Sequence, residues 1–346
     1  MPTPAPIMTE SEFIRRVLIV VGIVAFAAAL YVLSDILLLT FGAVLVAVVL
    51  RAIAKPIARG TSMSQRFSLV AAGLTVLFIL GGIGYLFGSQ IADQLITLAD
   101  RLPAAAADLS KRVPFVSVSE LVKGSSVGNL VSSALSWGTT VFGALATFVV
   151  VIIAGIYIAI QPEVYRHGLI MLFPKRVQHK IAETLDHAGE ALQLWLGAQL
   201  IAMILVGILI SVGLGIIGVP SALGLGFIAG ILEFIPIVGP IVAAIPALLL
   251  ASTVSWQLVL WTLLVFTIVQ QIESNIIMPL VSGRAVKLPP AVGLLAVVAI
   301  GILFGPLGLL LGYPLAIVTD VVVRHLYVRE ALGEDVEIAG EDTKKV

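Results

Sequence analysis

Glu233 is the only charged residue between Ala191 and Ile272, a tract otherwise built from apolar, small and a few neutral polar residues. A carboxylate in such surroundings is costly to bury and marks a functional position. Proline and glycine crowd around it in Leu232-Glu233-Phe234-Ile235-Pro236-Ile237-Val238-Gly239-Pro240, with Pro246 following. Pro236 has no N–H for the Leu232 carbonyl and Pro240 has none for that of Pro236, so the spacing predicts free acceptors beside the carboxylate. Such a donor set suits a cation or a polar solute. A second polar group, Gln270, Gln271, Glu273 and Asn275, precedes Pro279. Gln270 and Glu273 fall on one helical face, and Pro279 is expected to free the Asn275 carbonyl. A third break, Phe304-Gly305-Pro306 with Pro314 beyond it, rhymes with Val238-Gly239-Pro240 and Pro246. If these segments cross the membrane fully, Glu233 instead lies among headgroups and the second group is a polar helix end.

The elements that must position these residues are membrane helices. Of 346 residues 60% are hydrophobic and 12% charged, too apolar a balance for a soluble domain. Equal numbers of basic and acidic residues leave no basic excess to bind nucleic acid, and the absence of cysteine excludes disulfides and thiolate chemistry. Apolar runs at 17–33, 36–50, 67–88, 138–160, 196–217 and 254–271 are spanning candidates. Two longer runs, 220–251 and 289–323, are broken in the middle by glycine and proline and read as helical hairpins. The expected fold is therefore all-α: a polytopic membrane protein with six or more spanning helices and two inverted helical hairpins in the C-terminal half. Four ordinary spanning helices with tight turns would preserve the same parity. Ala25-Phe26-Ala27 imitates a signal-peptidase site, but the apolar run continues past it and the first helix is expected to stay uncleaved.

Orientation comes from Lys and Arg. Sixteen fall on one side of the proposed topology and four (Arg101, Lys111, Arg112 and Lys123) on the other, which puts the larger set and both termini in the cytoplasm. The chain then divides into a cytoplasmic tail at 1–16, a spanning scaffold at 17–88 and an extracytoplasmic helical segment at 89–137. A spanning helix with an amphipathic cytoplasmic helix at 138–195 follows, then a transport unit at 196–323 and a cytoplasmic tail at 324–346. Helix plus hairpin at 196–251 is repeated upside down at 254–323, and paired Gly/Pro-interrupted segments of this kind point to a carrier's binding site. The amphipathic helix, expected over 175–195, shows Val177, Ile181, Leu185, Ala188, Leu192 and Trp195 at helical spacing, and Ile91, Leu95, Leu98 and Leu102 repeat the pattern in the outer segment. Asp35 reads as a turn residue between the first two spans, Asp320 as the ion-pair partner of Arg324, and His167, His179, His187 and His325 as solvated surface. Gly84-x-x-x-Gly88 permits close helix packing.

Enzyme motifs are missing. Gly213-Leu-Gly215-Ile-Ile-Gly218 has the spacing of a dinucleotide fingerprint but lacks a helix with a wet face, so no cofactor and no metal are expected. The tract Leu232 to Pro240, followed by Ala244-Ile245-Pro246, resembles a signature of the autoinducer-2 exporter family of bacterial multi-span membrane transporters. Gln270-x-x-Glu273-x-Asn275-x-x-x-Pro279, Gly283-Arg284 and Phe304-Gly305-Pro306-x-Gly308 resemble its second signature. The similarity runs over nearly all of residues 15–328. It implies a bacterial inner-membrane carrier, pentameric, that moves solute by an elevator of hairpins against a fixed scaffold. Its implied substrate- or ion-binding residues are Glu233, Pro236, Gly239, Pro240, Gln270, Glu273, Asn275, Pro279, Gly305 and Pro306. The implied partners are a small polar solute such as the quorum-sensing signal autoinducer-2, a coupling ion (proton or sodium), the lipid bilayer and further copies of the chain. Sodium/proton antiport is the alternative activity, and a non-transporting membrane scaffold is the third reading.

Overall fold

The computed structural model describes residues 10–61, 67–76, 147–282 and 288–334, with isolated positions between and beyond them. The outer segment 89–137, Gly84, Gly88 and the Gly283-Arg284 pair lie outside the described residues. No strand occurs among the described residues, and five of their helices are long and apolar enough to cross a membrane, six if one bent pair counts as a single span. The chain is an all-α polytopic membrane protein.

Helix α1 (Glu10–Val32) and α2 (Ser34–Thr61) are separated by Leu33 alone. Their backbone bonding continues through it, Leu33 N–H to Ala29 O at 2.9 Å and Leu37 N–H to Leu33 O at 2.9 Å. Every described side chain of α1 from Ile14 to Leu33 is exposed, so the first two apolar runs do not fold onto each other as a hairpin. One residue is too short a linker for reversal, and α1 is apolar on all sides, without a stripe that selects a neighbour. Asp35 accordingly sits in the first turn of α2 and not in a turn between helices.

Helix α3 (Phe67–Val76) and α4 (Thr147–Ile160) pack on α2 through Ala47, Leu50, Ala54, Leu69, Ala72 and Ala159. At Gln161 the chain bends by 87° into α5 (Pro162–Met171), where proline at the first turn starts a new helix at no hydrogen-bonding cost. Arg166 on α5 then grips Asp186 with both ends of its guanidinium, at 3.0 and 2.7 Å.

The axis of the molecule is α6, a single helix Gln178–Ile216 of 39 residues. At 1.5 Å per residue it is about 58 Å long, roughly twice the hydrocarbon thickness. The amphipathic segment and the following span are thus one rod, since nothing between Ala191 and Gly197 breaks a helix. Its first half buries Ala188, Ala191, Leu192, Trp195 and Leu196 against Leu38 and Leu45 of α2 and Leu311, Ile317 and Val321 near the C-terminus. Its second half buries Val206, Ile210 and Leu214 against the first hairpin, whose legs are α7 (Ala222–Leu232) and α8 (Val238–Ser252). At 11 and 15 residues neither leg is long enough to cross about 30 Å alone. Where α6 meets α7 the backbones touch: a Cβ on Gly226 would stand 2.7 Å from the Gly207 carbonyl oxygen.

Helix α9 (Trp256–Ile272), started by the Ser255 hydroxyl accepting from Leu258 N–H at 3.1 Å, is continued by a π-helical turn at Glu273–Ile277 and then α10 (Met278–Ser282). Helix α11 (Pro290–Val322) is folded back on itself at Gly305, whose φ of 67° and ψ of −148° lie in a region open to glycine. Its two halves run antiparallel in contact: a Cβ on Gly312 would lie 2.8 Å from Val297 Cα, and one on Gly308 would lie 2.2 Å from Ile300 O. Both apolar runs broken by glycine and proline are therefore helical hairpins.

One histidine departs from the sequence expectation. His325, in the π-helical stretch Val323–Arg329, is buried; its Nδ1 lies 2.8 Å from the Thr184 hydroxyl and its ring 5.4 Å from that of His187. The return of the chain end onto α6 buries it, a tertiary contact that local polarity does not reveal. Asp320 and Arg324 form the expected i,i+4 ion pair at 2.8 Å.

Candidate functional site

Residues Glu233 to Ile237 form the tip of the first hairpin, and the tip is tightly closed. Phe234 N–H bonds Ile231 O at 3.2 Å, Ile235 N–H bonds Leu232 O at 3.0 Å, and Gly239 N–H bonds Ile235 O at 2.8 Å. Val238 N–H bonds Pro236 O at 2.8 Å around Ile237, whose φ of 70° and ψ of −50° make a strained γ-turn. The carbonyls of Leu232 and Pro236, which proline spacing marked as free, are thus both occupied: the turn brings in N–H groups from Ile235 and Val238 in place of the missing proline donors. Gly239 is obligatory here, because a Cβ would stand 1.9 Å from the Leu232 carbonyl oxygen. Pro236, in the tip, and Pro240, in the first turn of the return leg, are half-buried.

This closure buries the Glu233 side chain completely, and no hydrogen-bond donor among the described residues reaches either carboxyl oxygen. The neighbour it does have is the carboxyl group of Glu273, which is also buried. Gln270 Nε2 donates to Glu273 Oε2 at 2.5 Å, so Gln270 and Glu273 act from one face of the α9 end. Two carboxyl groups side by side are acceptors only when ionised, and a proton or a cation shared between them is what makes the pair compatible with burial.

The π-helical turn explains how Glu273 arrives there. Pro279 cannot donate to Asn275, and the chain widens ahead of it, with Met278 N–H reaching back five residues to Glu273 O. Asn275 and Pro279 are exposed, and the Asn275 amide bonds Gln271 O and Gln271 Oε1, both at 2.9 Å. The structure therefore joins Gln270 and Glu273 to Glu233 and leaves Asn275 with Gln271 on another face.

Two residues outside the sequence-based set complete the arrangement. Gln199 on α6 is buried; its Nε2 donates to the backbone oxygen of Glu233 at 2.5 Å and its Oε1 has no partner among the described residues. One turn earlier, buried Trp195 meets Phe234 of the first tip edge-on at 5.8 Å and stacks on Tyr313 of the second hairpin at 5.5 Å. Phe304 and Leu307, which flank Gly305 and Pro306, pack into the same cluster. Trp195 and Gln199 stand four apart, on one helix face. A neutral polar residue inside an apolar span is the signal in the sequence that marks Gln199.

The described residues hold no group of three or more His, Asp or Glu side chains set for a metal ion. Two buried carboxyl groups from the first hairpin tip and the α9 end, an amide oxygen from α6 and an aromatic wall shared by α6 and both hairpins come together where the hairpins meet the central helix, a donor set suited to binding a cation or polar solute.

Residues 20–328 match the family described as AI-2E family transporter. Among individual relatives, YueF of Bacillus subtilis is 27% identical over 303 residues, covering 82% of either chain. YhhT of Escherichia coli K12 is 23% identical over 331 residues, 93% of each chain. YrrI of B. subtilis is 32% identical over 169 residues, about half of each: 49% of this chain and 48% of YrrI. All three carry names that assign them only provisionally to transport.

Proposed function

We propose, from the premise that the chain belongs to the AI-2E transporter family, that it is a secondary carrier exporting a small polar molecule of the autoinducer-2 kind. In this reading the two hairpins move as an elevator against the N-terminal helices, in the bacterial inner membrane, with the 51–66 loop and the C-terminus cytoplasmic and several copies, a pentamer by the family resemblance, assembled around the scaffold. It performs no covalent chemistry and needs no cofactor. The observation that carries it is the buried Glu233–Glu273 pair at the junction of a closed hairpin tip with the central helix. A charge-bearing group enclosed in an apolar carrier is worth its cost when it binds or releases a solute or ion during the cycle.

The same pair supports a second reading, cation/proton antiport, because a shared proton exchanged for a sodium ion is what paired carboxyl groups accommodate. Purified protein in sealed vesicles separates the two. An imposed proton gradient that drives autoinducer-2 movement supports solute export; sodium movement in exchange for protons, with autoinducer-2 inert, supports antiport. No gradient-dependent movement of any of them would overturn both and leave a non-transporting scaffold. Orientation is checked by single cysteines at Ser62 and Ser117: they should label from opposite sides of the membrane, Ser117 from outside, and labelling from one side would refute the topology.

A further inference from the structure

A cavity of about 640 Å³ lies away from the hairpin tips, between the C-terminal half of α2, the start of α3 and the first third of α6. Its walls divide by chemistry. Val48, Leu69 and Leu185 supply apolar surface, while Arg51 and Lys55 line it from α2 and Asp186 and Glu190 from α6. The charges do not cancel: Asp186 is held bidentately by Arg166 at 2.7 and 3.0 Å, and among the described residues nothing pairs with Arg51 or Lys55. With Arg166 counted as neutralising Asp186 from outside the cavity, Arg51 and Lys55 face Glu190 alone, one net positive charge.

The cavity's level follows from α2. Uncharged from Ile36 to Leu50, the helix turns basic at Arg51 and carries no acid from there to its end at Thr61. Val48, Arg51 and Lys55 are three and four apart, so one face passes from hydrocarbon to charge within two turns, as happens at the boundary of a bilayer. Phosphate above and acyl chain below is the chemistry that matches such a face.

We propose that this cavity is a seat for the headgroup of an anionic phospholipid, with Arg51 and Lys55 holding the phosphate and Val48, Leu69 and Leu185 receiving the upper part of an acyl chain. The seat clamps α2 and α3 of the N-terminal helices to α6, so lipid binding ties scaffold to central helix whatever solute is carried. Glu190 opposes the anion and limits its affinity.

The test uses the full-length protein in neutral detergent, titrated with phosphatidylglycerol, phosphatidylcholine or glycerol 3-phosphate and read by native mass spectrometry. Phosphatidylglycerol should be retained over phosphatidylcholine. Arg51→Gln with Lys55→Gln should weaken it about 30-fold, taking each basic residue near a membrane surface as worth about 1 kcal/mol. Glu190→Gln should strengthen it about fivefold on the same scale. If the double variant fails to fold, Lys55→Gln alone and the opposite sign of Glu190→Gln still decide the matter. Lys175→Gln with Arg176→Gln, which removes equal charge from an exposed turn outside the cavity, should leave binding unchanged. Equal loss in that control would show a diffuse basic face and overturn the seat. So would glycerol 3-phosphate binding as tightly as the lipid, which would make this a site for soluble anions, or altered self-association of the double variant without altered lipid binding, which would make it a contact between copies.

Discussion

Replacing Gly239 by alanine should open the first hairpin tip. The new Cβ would stand 1.9 Å from the carbonyl oxygen of Leu232 and 2.5 Å from its carbon, backbone atoms that no rotamer change can move aside. An ordinary carbon–oxygen contact is about 3.3 Å, so the return leg must shift by about 1.4 Å. That shift strains or breaks the Gly239 N–H bond to Ile235 O, now 2.8 Å, and the Ile235 N–H bond to Leu232 O, now 3.0 Å. At about 1 kcal/mol for each hydrogen bond and about 1–3 kcal/mol for overpacking, the variant should lose about 2–5 kcal/mol. Glu233 adjoins Leu232, so the same movement displaces the carboxyl from Glu273 and transport should fall with stability. The assay is reversible unfolding of purified protein in detergent, followed by vesicle transport. Gly168→Ala is the control: nothing lies within 4 Å of its added Cβ on α5, and it should gain about 0.5–1 kcal/mol from helix propensity. A Gly239→Ala protein as stable as wild type, with unaltered transport, would refute the closed tip.

Trp195→Ala should cost about 3–5 kcal/mol in the same unfolding assay, because the ring is buried between Phe234 and Tyr313 and joins the two hairpins. Ile237→Gly should leave the protein as stable or raise it by about 1 kcal/mol, since glycine accepts a φ of 70° without strain and Ile237 is already 39% exposed. At the chain end, the Lys180 ammonium bonded to Glu330 holds that carboxyl below its usual range. A depressed carboxyl contributes stability above the ordinary carboxylate range and loses it as pH falls through the lowered value. Protection factors for hydrogen exchange at residues 323–334, taken against the intrinsic rate at each pH, should therefore fall with acid in wild type, and Lys180→Gln should remove that acid-dependent step.

The sequence was most informative where one residue type stood out from its background. A lone carboxylate in an apolar tract singled out Glu233, which the fold buries at a hairpin tip, and glycine and proline in mid-run marked both hairpin tips at 233–240 and 304–306. Asp320 and Arg324 paired because i,i+4 is local geometry. What depended on the chain's return was not legible. The carbonyls expected to be free at Leu232 and Pro236 were taken up by a turn whose strained residue, Ile237, carries no glycine signal. Glu273 and Asn275, two apart, point to different sides of the helix whatever its type, and which side meets Glu233 depended on how α9 packs. His325 was buried by packing against Thr184, and α1 and α2 failed to form a hairpin because a one-residue joint continues helical bonding. Gln199 and Trp195 carry no charge to set them off from their apolar span, and only the packing of both hairpins on α6 brings them to the tip.

The most direct test of the Glu233–Glu273 pair as the working element is Glu233→Gln in vesicles, with insertion matched to wild type. The amide is nearly isosteric, brings a donor to the Glu273 carboxyl that now has only Gln270, and cannot be ionised. Its unfolding temperature should equal or exceed that of wild type, while solute movement and gradient-driven exchange fall to the level of protein-free vesicles. Transport at the wild-type rate with the wild-type pH dependence, by a variant equally well inserted, would contradict a transport role for the pair.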